Sequence, residues 1–176
     1  MYRMRNHKQL IGLNRLCTDL LTDRAGLYGL EVGSFAGESA KVFLNTHAFV
    51  AFYCVDAWSK DFATPAIVND LAPAEVLFDK TVGMNPVVHK LKGTSQDMAK
   101  KFPEDSLDFL YIDARHDYDY VLADLKSWVP KVHQGGIIAG HDWVHNWPGV
   151  PKACKEFFHR DPVKIYRDTS WFYINK

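Results

Sequence analysis

The amino-acid sequence predicts an α/β protein with a doubly wound, Rossmann-like sheet. The sheet is mostly parallel, carries helices on both faces and ends in an antiparallel C-terminal edge hairpin. Three observations predict this fold. Short apolar runs alternate with segments of helical period along the chain. A strand, a glycine turn and a helix follow one another over residues 30–46. Two adjacent strand-like segments close the chain, and strands joined by a short turn pair antiparallel.

The apolar periodicity and the turn residues place each element in order. The predicted helices are 7–23, Ser39–Thr46, Ala74–Val82, Ser95–Lys101, Tyr118–Trp128 and Val150–His159. The predicted strands are Leu27–Val32, Phe49–Val55, Val87–Leu91, Leu107–Ile112, Ile137–Gly140, Val163–Arg167 and Trp171–Ile174. Gly135-Gly136 predicts a turn, and prolines and polar residues make 57–73 irregular. Strands one, two, four and five contain apolar runs, which are typical of strands buried on both faces.

Length, charge and cysteine usage narrow the class of protein. The 176 residues predict one domain over 1–176, with a helical cap at 1–25 and a core at 26–176. The net charge of zero gives no global electrostatic reason to expect nucleic acid or an anionic membrane as a partner. No segment is apolar for long enough to span a bilayer, and no signal peptide is recognised. Three widely spaced cysteines argue against a disulfide framework, so we expect a cytoplasmic protein.

The glycine turn after the first strand indicates a cofactor site. Gly33 can adopt a backbone conformation that a side chain would block, and Gly37 lets a ligand or the sheet approach the following helix. Ser34 and Ser39 can cap that helix, whose amide groups point at the turn. Asp56 follows the second strand, nineteen positions after Gly37, where a carboxylate can accept hydrogen bonds from ribose hydroxyls. Turn and acid together predict a nucleoside-containing cofactor.

Polar residues stand at the ends of the predicted strands, where open α/β sheets bind their ligands. They are Gly33-Ser34, Asp56, Thr94-Ser95, Asp113 and His141-Asp142. Asp113 and Asp142 end neighbouring strands, so their carboxylates can share a hard divalent cation such as magnesium or calcium. In the alternative interpretation Asp113 caps the next helix and Asp142 holds its own loop by hydrogen bonds.

Two histidines and three tryptophans belong to the same predicted edge. His116, three residues after Asp113, could act as a general base near neutral pH or hold the start of a helix. His141 is a second candidate base, or a partner of Asp142. The tryptophans that fall in loops at this edge, and could wall a flat substrate or an adenine ring, are Trp58, Trp143 and Trp147.

Over residues 26–176 the chain resembles class I S-adenosylmethionine-dependent methyltransferases, in particular small-molecule O-methyltransferases. Residues 31–39 are similar to their first motif, in which an aromatic residue, here Phe35, replaces the middle glycine of the dinucleotide fingerprint. Residues 54–58 resemble the acidic second motif. Residues 112–118 and 135–143 are similar to motifs of a bacterial subgroup that includes cephamycin-biosynthesis-type and macrolide-sugar-type methyltransferases.

The resemblance implies a role for each matching position. The residues that would contact S-adenosylmethionine are Glu31, Gly33, Ser34, Phe35, Gly37, Ser39, Asp56, Ala57, Trp58, Ser95 and Asp113. Among them Asp56 would hold the ribose, and Ser95 would meet the adenine amine or the ring edge. Ala57 and Trp58 would lie beside the adenine ring.

The same resemblance implies a metal and a base. Asp113 and Asp142 match two metal-binding acids of the catechol-type enzymes. Those enzymes take a further ligand from an amide directly after the second acid, where this chain has Trp143, which cannot ligate. Their base is a lysine three residues after the first acid; His116 holds that place here, with a lower intrinsic pKa. The catalytic residues implied are therefore His116, Asp113 and His141.

The implied reaction is methyl transfer to an oxygen of a small hydroxylated acceptor, with S-adenosylhomocysteine as product and magnesium or another divalent cation assisting. No nucleic-acid or membrane partner is expected, and a homodimer could cover the substrate site through the first helix. The alternative is a catalytically degenerate binding protein of the same fold. Phe35 argues against an NAD-dependent oxidoreductase. Neutral charge and the absence of an Asn/Asp-Pro-Pro-aromatic run argue against amino-methylation of bases in nucleic acids.

Overall fold

One seven-stranded sheet carries helices on both faces in the computed structural model, which describes residues 10–59, 61 and 71–176. The helices in these ranges are α1 Ile11–Leu21, α2 Glu38–Leu44, α3 Leu71–Thr81, α4 Ser95–Ala99, α5 Tyr118–Trp128 and α6 Gly149–Phe158, with a 3-10 turn at Val129–Lys131. The strands are β1 Leu27–Val32, β2 Phe49–Asp56, β3 Val88–Lys92, β4 Leu107–Ile112, β5 Val132–Gly140, β6 Lys164–Ile165 and β7 Trp171–Ile174.

The strand order is β3-β2-β1-β4-β5-β7-β6, which confirms the predicted doubly wound fold. Strands β1 to β5 are parallel, whereas β7 runs antiparallel to both β5 and β6. The chain builds outward from β1 to β3 and then returns to place β4 on the other side of β1. This reversal is the topological switch point at which such sheets bind ligands. Val32 pairs with Ile112 there, so Gly33 and Asp113 leave the sheet side by side.

Two apolar layers hold the helices to the sheet. On one face, α1, α2 and α3 cover a cluster that includes Phe43, Phe52 and Phe109, with the rings of Phe43 and Phe109 packed edge to face at 5.1 Å. On the other face, α4, α5 and α6 cover a cluster built around Leu110 and Trp128. The central strands are therefore buried on both sides, as their continuous apolar runs predict.

Helix α1 is fastened to the C-terminal hairpin as well as to the sheet. Its residues Leu13, Leu16 and Leu21 are buried in the first apolar layer. The backbone N–H of Leu13 donates to the Asp168 carboxylate at 2.5 Å, and Gly12 has no side chain to block that approach. Residues 7–9 of the predicted helix lie outside the described residues.

Several predicted ends differ from the structure by one or two residues. Three further predictions were wrong for identifiable reasons. Helix α3 begins at Leu71 rather than Ala74, because a proline, here Pro73, is tolerated in a first helical turn. Strand β5 begins at Val132, so Gly135-Gly136 is a bulge within the strand, with Gly135 at φ +83° and hydrogen-bonded to Asn175. Strand β6 is only two residues long, since the chain turns back from Tyr166. Most of the predicted irregular segment 57–73 lies outside the described residues.

The structure also describes the three cysteines and the length and polarity of the helices. Cys17, Cys54 and Cys154 are all buried and free, so no disulfide forms among them. Within the described part of the chain, every helix is too short or too polar to cross a bilayer.

Candidate active site

Gly33 brings the turn after β1 into direct contact with the chain after β4. Its φ of +92° lies outside the conformations that a side chain tolerates. A Cβ at this position would stand 2.6 Å from the carbonyl carbon of Asp113 and 2.7 Å from the Cα of Ala114. The Gly33 N–H donates to the Val55 carbonyl at 2.8 Å, which fixes the turn against β2 as well. Glycine is therefore required here by backbone packing at the switch point.

Gly37 and the serines of the turn serve packing more than capping. Gly37 is the N-cap of α2 at φ +80°, and a Cβ there would lie 2.9 Å from a methyl group of Val82 in the chain after α3. The space that a side chain of residue 37 would occupy therefore lies toward the helix layer, and not toward the end of the sheet at which ligands bind. No side chain caps α2, so the prediction that Ser34 and Ser39 cap it was wrong. The Ser39 hydroxyl instead donates to the buried carboxylate of Glu31.

Asp56 and Trp58 together hold the glycine turn through Phe35. One oxygen of the Asp56 carboxylate accepts the Phe35 N–H at 2.9 Å, and the other accepts the Trp58 N–H at 2.7 Å. The Trp58 indole N–H donates to the Phe35 carbonyl at 2.8 Å. Burial raises the pKa of Asp56, and these backbone N–H groups, with that of Ala57, oppose the rise. Three backbone N–H groups leave one of the four lone pairs of the carboxylate open, and ribose binding by Asp56 stays a prediction.

The placement of Trp58 corrects its predicted role. Only 6% of Trp58 is exposed, and its ring packs against Phe78 at 5.0 Å. The ammonium of Lys90 lies 4.9 Å from the centre of the indole. Trp58 is thus a core residue beneath the turn, where it positions Phe35, rather than an exposed wall for adenine.

Ser95 lies beyond β3 at the same edge of the sheet, with its hydroxyl already engaged. Thr94 is the N-cap of α4 and accepts the Asp97 N–H at 3.2 Å. The Ser95 oxygen accepts the Trp128 indole N–H at 2.8 Å and interacts with Asp124 through a hydrogen bond. A hydroxyl oxygen has two lone pairs, so one remains for the adenine amine. The adenine role of Ser95 stays a prediction.

Asp124, the partner of Ser95, makes folding stability depend on pH. Burial raises the pKa of Asp124 to about 6, against the hydrogen bonds from Ser95 and Gln96. Because its pKa is higher in the folded than in the unfolded protein, the protonated Asp124 carboxyl stabilises the fold at low pH. This stabilisation is lost as the pH rises through about 6. We expect Asp124→Asn to stabilise the fold by about 1–3 kcal/mol at about pH 8. The gain should vanish at about pH 4.

Urea unfolding at the two pH values checks this expectation. Asp119→Asn, an exposed position on the same helix, should change the free energy of unfolding by no more than about 0.5 kcal/mol at either pH. An Asp124→Asn effect of the same size at both pH values would show that the burial of the charge is not the cause.

The ends of β4 and β5 bring two aspartates and a histidine together. Asp113, His141 and Asp142 each offer a ligand atom, and these atoms lie within 4.8 Å of one another. The His141 Nδ1 is 3.2 Å from an oxygen of Asp142. Burial would lower the pKa of His141, but Asp142 and Asp113 raise it on balance. Two carboxylate oxygens and an imidazole nitrogen suit a divalent first-row cation.

His141 as a third donor is the feature that the sequence interpretation missed. The resemblance directs attention to the residue after Asp142, which is Trp143. The structure instead offers the residue before it. The available signal was the position of His141 directly after the last paired residue of β5, Gly140.

The side chain of His116 lies against the two aspartates of this acid cluster, and it carries a positive charge. Its Nε2 lies 2.8 Å from Asp142 and 3.7 Å from Asp113, as an ion pair rather than an aligned hydrogen bond. Burial opposes protonation, yet the two aspartates raise the pKa of His116 to about 9. His116 therefore holds a proton at neutral pH in this arrangement. Only a neutral imidazole can accept a proton. The predicted role of His116 as a base therefore requires another cation to compensate the negative charges of the two aspartates.

Trp147 differs from the other two loop tryptophans in being open to solvent. It is 44% exposed, and its ring lies 4.8 Å from the ring of His116. Trp143 is half-buried and packs on Trp171, with its backbone N–H bonded to the Thr169 carbonyl. Of the three, Trp147 thus offers a wall for a flat molecule.

The glycine turn, the acid after β2 and the acid cluster lie together at the switch point of a doubly wound sheet, the place at which such sheets bind their ligands. Residues 30–143 match the sequence profile of a family described as a methyltransferase domain. The match covers more than half of the chain, so the chain belongs to this methyltransferase family. Family and fold together make it a class I S-adenosylmethionine-dependent methyltransferase.

Solved structures share this fold at low sequence identity. The O-methyltransferase NovP aligns with a TM-score of 0.66 and 17% identity, over 96% of this chain and 80% of NovP. A Staphylococcus aureus protein assigned as a caffeoyl-CoA O-methyltransferase aligns with a TM-score of 0.65 and 12% identity, over 99% and 86%. The chain spans 46% of a Galdieria sulphuraria protein assigned as a sarcosine dimethylglycine methyltransferase, covering 77% of itself at a TM-score of 0.55 and 14% identity. No curated protein matches the sequence significantly.

Proposed function

We propose that this protein transfers a methyl group from S-adenosylmethionine to a hydroxyl oxygen of a small molecule, at a site that holds a divalent cation. The contact between Gly33 and Asp113 carries the proposal. The glycine turn after β1, which resembles a cofactor-binding loop, contacts the end of β4, where Asp113 of the acid cluster lies. A cofactor bound at the turn would therefore lie beside Asp113, His141 and Asp142. NovP, an O-methyltransferase of similar fold, supports an oxygen acceptor.

The residues present fit both groups. The turn is shaped by Asp56 and Trp58, and two carboxylates and an imidazole can hold a divalent cation. Bound S-adenosylmethionine supplies a methyl group on a positively charged sulfur; the acceptor oxygen bonds to the methyl carbon, and the sulfur keeps the electron pair of the broken bond. A cation at the cluster would lower the pKa of a bound hydroxyl.

The chain's own contribution is positioning and the handling of one proton. Asp56 keeps the turn closed by binding two backbone N–H groups. His116 stands 2.8 Å from Asp142 and lies where it could take the acceptor's hydroxyl proton once the aspartates bind a cation. Alignment of oxygen and methyl carbon supplies much of the rate in such displacements.

Surface charge supports a small acceptor over a nucleic acid. Lys90 and Lys92 pair with Glu75 at 3.1 and 2.7 Å, and Lys100 pairs with Asp97 at 2.8 Å. These lysines are therefore neutralised locally and do not form a phosphate-binding stripe. The bacterial subgroup of cephamycin-type and macrolide-sugar-type enzymes, the homodimer and the cytoplasmic location stay predictions.

Calorimetric titration with S-adenosylhomocysteine tests the proposal. We expect a Kd of about 1–100 μM for the cofactor-stripped protein, with tighter binding when manganese or magnesium is present. Asp56→Ala should weaken this binding at least about tenfold, because the turn loses its anchor. Asp119→Asn serves as the control. Labelled methyl groups should then appear on oxygen when hydroxylated acceptors are supplied.

Each other result has a definite meaning. No binding of S-adenosylhomocysteine would overturn the proposal, and methyl transfer to nitrogen would overturn the oxygen acceptor. Binding without turnover on any acceptor would favour the degenerate binding protein.

A further inference from the structure

A surface cavity opens beside the acid cluster, and the proposed function leaves it without a role. Its volume is about 340 Å³, and its lining residues are His116, Asp117, Tyr118, Trp147, Pro148, Gly149 and Lys152. His116 forms the wall nearest the cluster, since its Nε2 is 2.8 Å from Asp142. A molecule in this cavity thus has one end at His116, which separates the cavity from Asp142, and the other toward α6. The volume suits one ring with its substituents.

Trp147 gives the cavity a flat apolar wall. Among the described residues it is the one exposed tryptophan, at 44%. Its ring is tilted by 41° to that of His116, with the centres 4.8 Å apart. An aromatic face open beside a reactive cluster favours a planar ligand.

Lys152 gives the cavity a cation. Its ammonium lies 4.2 Å from the centre of the Tyr118 ring, and no carboxylate within the described ranges pairs with it. Lys155, on the same helix, pairs instead with Asp161 at 2.9 Å. The Tyr118 hydroxyl donates its hydrogen bond to Glu156 at 2.5 Å. Its proton is therefore not available to a ligand that binds Lys152.

The charged residues that line the cavity indicate which anionic group a ligand would carry. Lys152 is the one lysine or arginine that lines the cavity, and Asp117, paired with Arg115 at 2.8 Å, is the acid beside it. His116, the other cation of the lining, is already paired with Asp142 at 2.8 Å. The single ammonium of Lys152 matches a carboxylate, whereas a phosphate dianion would need further cations.

We infer that the cavity is the acceptor subsite and that the acceptor is a hydroxylated aromatic carboxylate. Lys152 binds the carboxylate, Trp147 packs on the ring, and the hydroxyl points to His116, the lining residue that contacts Asp142. This inference rests on the proposed function, because only methyl transfer at the cluster makes the ligand an acceptor. Lys152 and Trp147 are binding residues that determine specificity.

Calorimetry with protocatechuate and its uncharged carboxamide tests the inference, with S-adenosylhomocysteine and manganese present. The parent protein should bind the acid about tenfold more tightly than the amide. Lys152→Gln should reduce this preference to about twofold or less, and Lys152→Arg should restore most of it. Lys155→Gln should leave the preference intact. Trp147→Ala should weaken acid and amide alike, since ring packing does not depend on charge.

The outcomes separate this inference from the proposed function. If S-adenosylhomocysteine binds but the acid and amide bind equally, or neither binds, the acceptor subsite is wrong and the methyltransferase proposal stands. A preference that survives Lys152→Gln likewise removes Lys152 as the anchor. If S-adenosylhomocysteine itself fails to bind, the proposed function fails and this inference fails with it.

Discussion

Gly33→Ala is expected to destabilise the protein by about 3 kcal/mol or more, because two penalties add. The φ of +92° disfavours any side chain, at about 1–2 kcal/mol. The new Cβ would also overlap the backbone at Asp113 and Ala114, which cannot rotate away as a side chain could. The turn would have to move, so binding of S-adenosylhomocysteine should fall by about 100-fold. Urea unfolding and calorimetry measure the two effects.

Gly26→Ala is the matched control for this substitution. Gly26 also has a positive φ, +78°, but no atom lies within 4 Å of the position that its Cβ would occupy. Its replacement should cost only the conformational penalty of about 1–2 kcal/mol and leave cofactor binding unchanged. Equal losses for Gly33→Ala and Gly26→Ala would show that the contact with Asp113 does not require glycine.

Asp142→Asn is expected to lower methyl transfer by about 100-fold and to weaken binding of manganese by a similar factor. The substitution removes a negative charge while keeping the shape of the side chain. Asn also tolerates the positive φ of +61° at this position, so the backbone should hold its conformation. The loss would then come from the donor set and not from a rearranged loop. Calorimetry with manganese and single-turnover assays measure it.

Circular dichroism and S-adenosylhomocysteine binding serve as the internal controls for this variant. Both should stay near the parent values when no metal is added, because none of the hydrogen bonds and ion pairs of Asp142 in the described structure reaches the glycine turn. Asp119→Asn, which removes an exposed carboxylate on α5, should leave manganese binding unchanged. Parent-like manganese affinity in Asp142→Asn would remove Asp142 from the metal site.

Much of the fold could be predicted because local patterns and global topology agree. The predicted α5 and β4 match the structure residue for residue, since an amphipathic helix and a short buried strand leave little choice. Strand β5 was predicted five residues too short because Gly135-Gly136 has the composition of a turn. The bulge there is stabilised by Asn175, a partner some forty positions away that no local pattern reveals.

The candidate site was predictable to the level of which residues lie at the strand ends. Parallel strands bring their carboxyl ends to one edge, so Gly33, Asp113 and Asp142 had to lie near one another. The direction of each side chain was not predictable in this way. Trp58 reads as a loop residue, yet the packing of Phe78 and the carbonyl of Phe35 draw it into the core.

The sequence by itself therefore determined the doubly wound fold, the cofactor turn and the edge at which chemistry can occur, because period, glycine placement and strand ends are local features. Only the tertiary structure decided that Gly33 abuts Asp113, that His141 joins the two aspartates and that Lys152 faces Trp147 across a cavity. Gly33 and Asp113, like Asp113 and the pair His141-Asp142, are far apart in the chain, so their contacts depend on the order of the strands. Trp147 and Lys152 are close in the chain, but the cavity between them depends on the rotation of each side chain and on the start of α5 beside them, which no local pattern encodes.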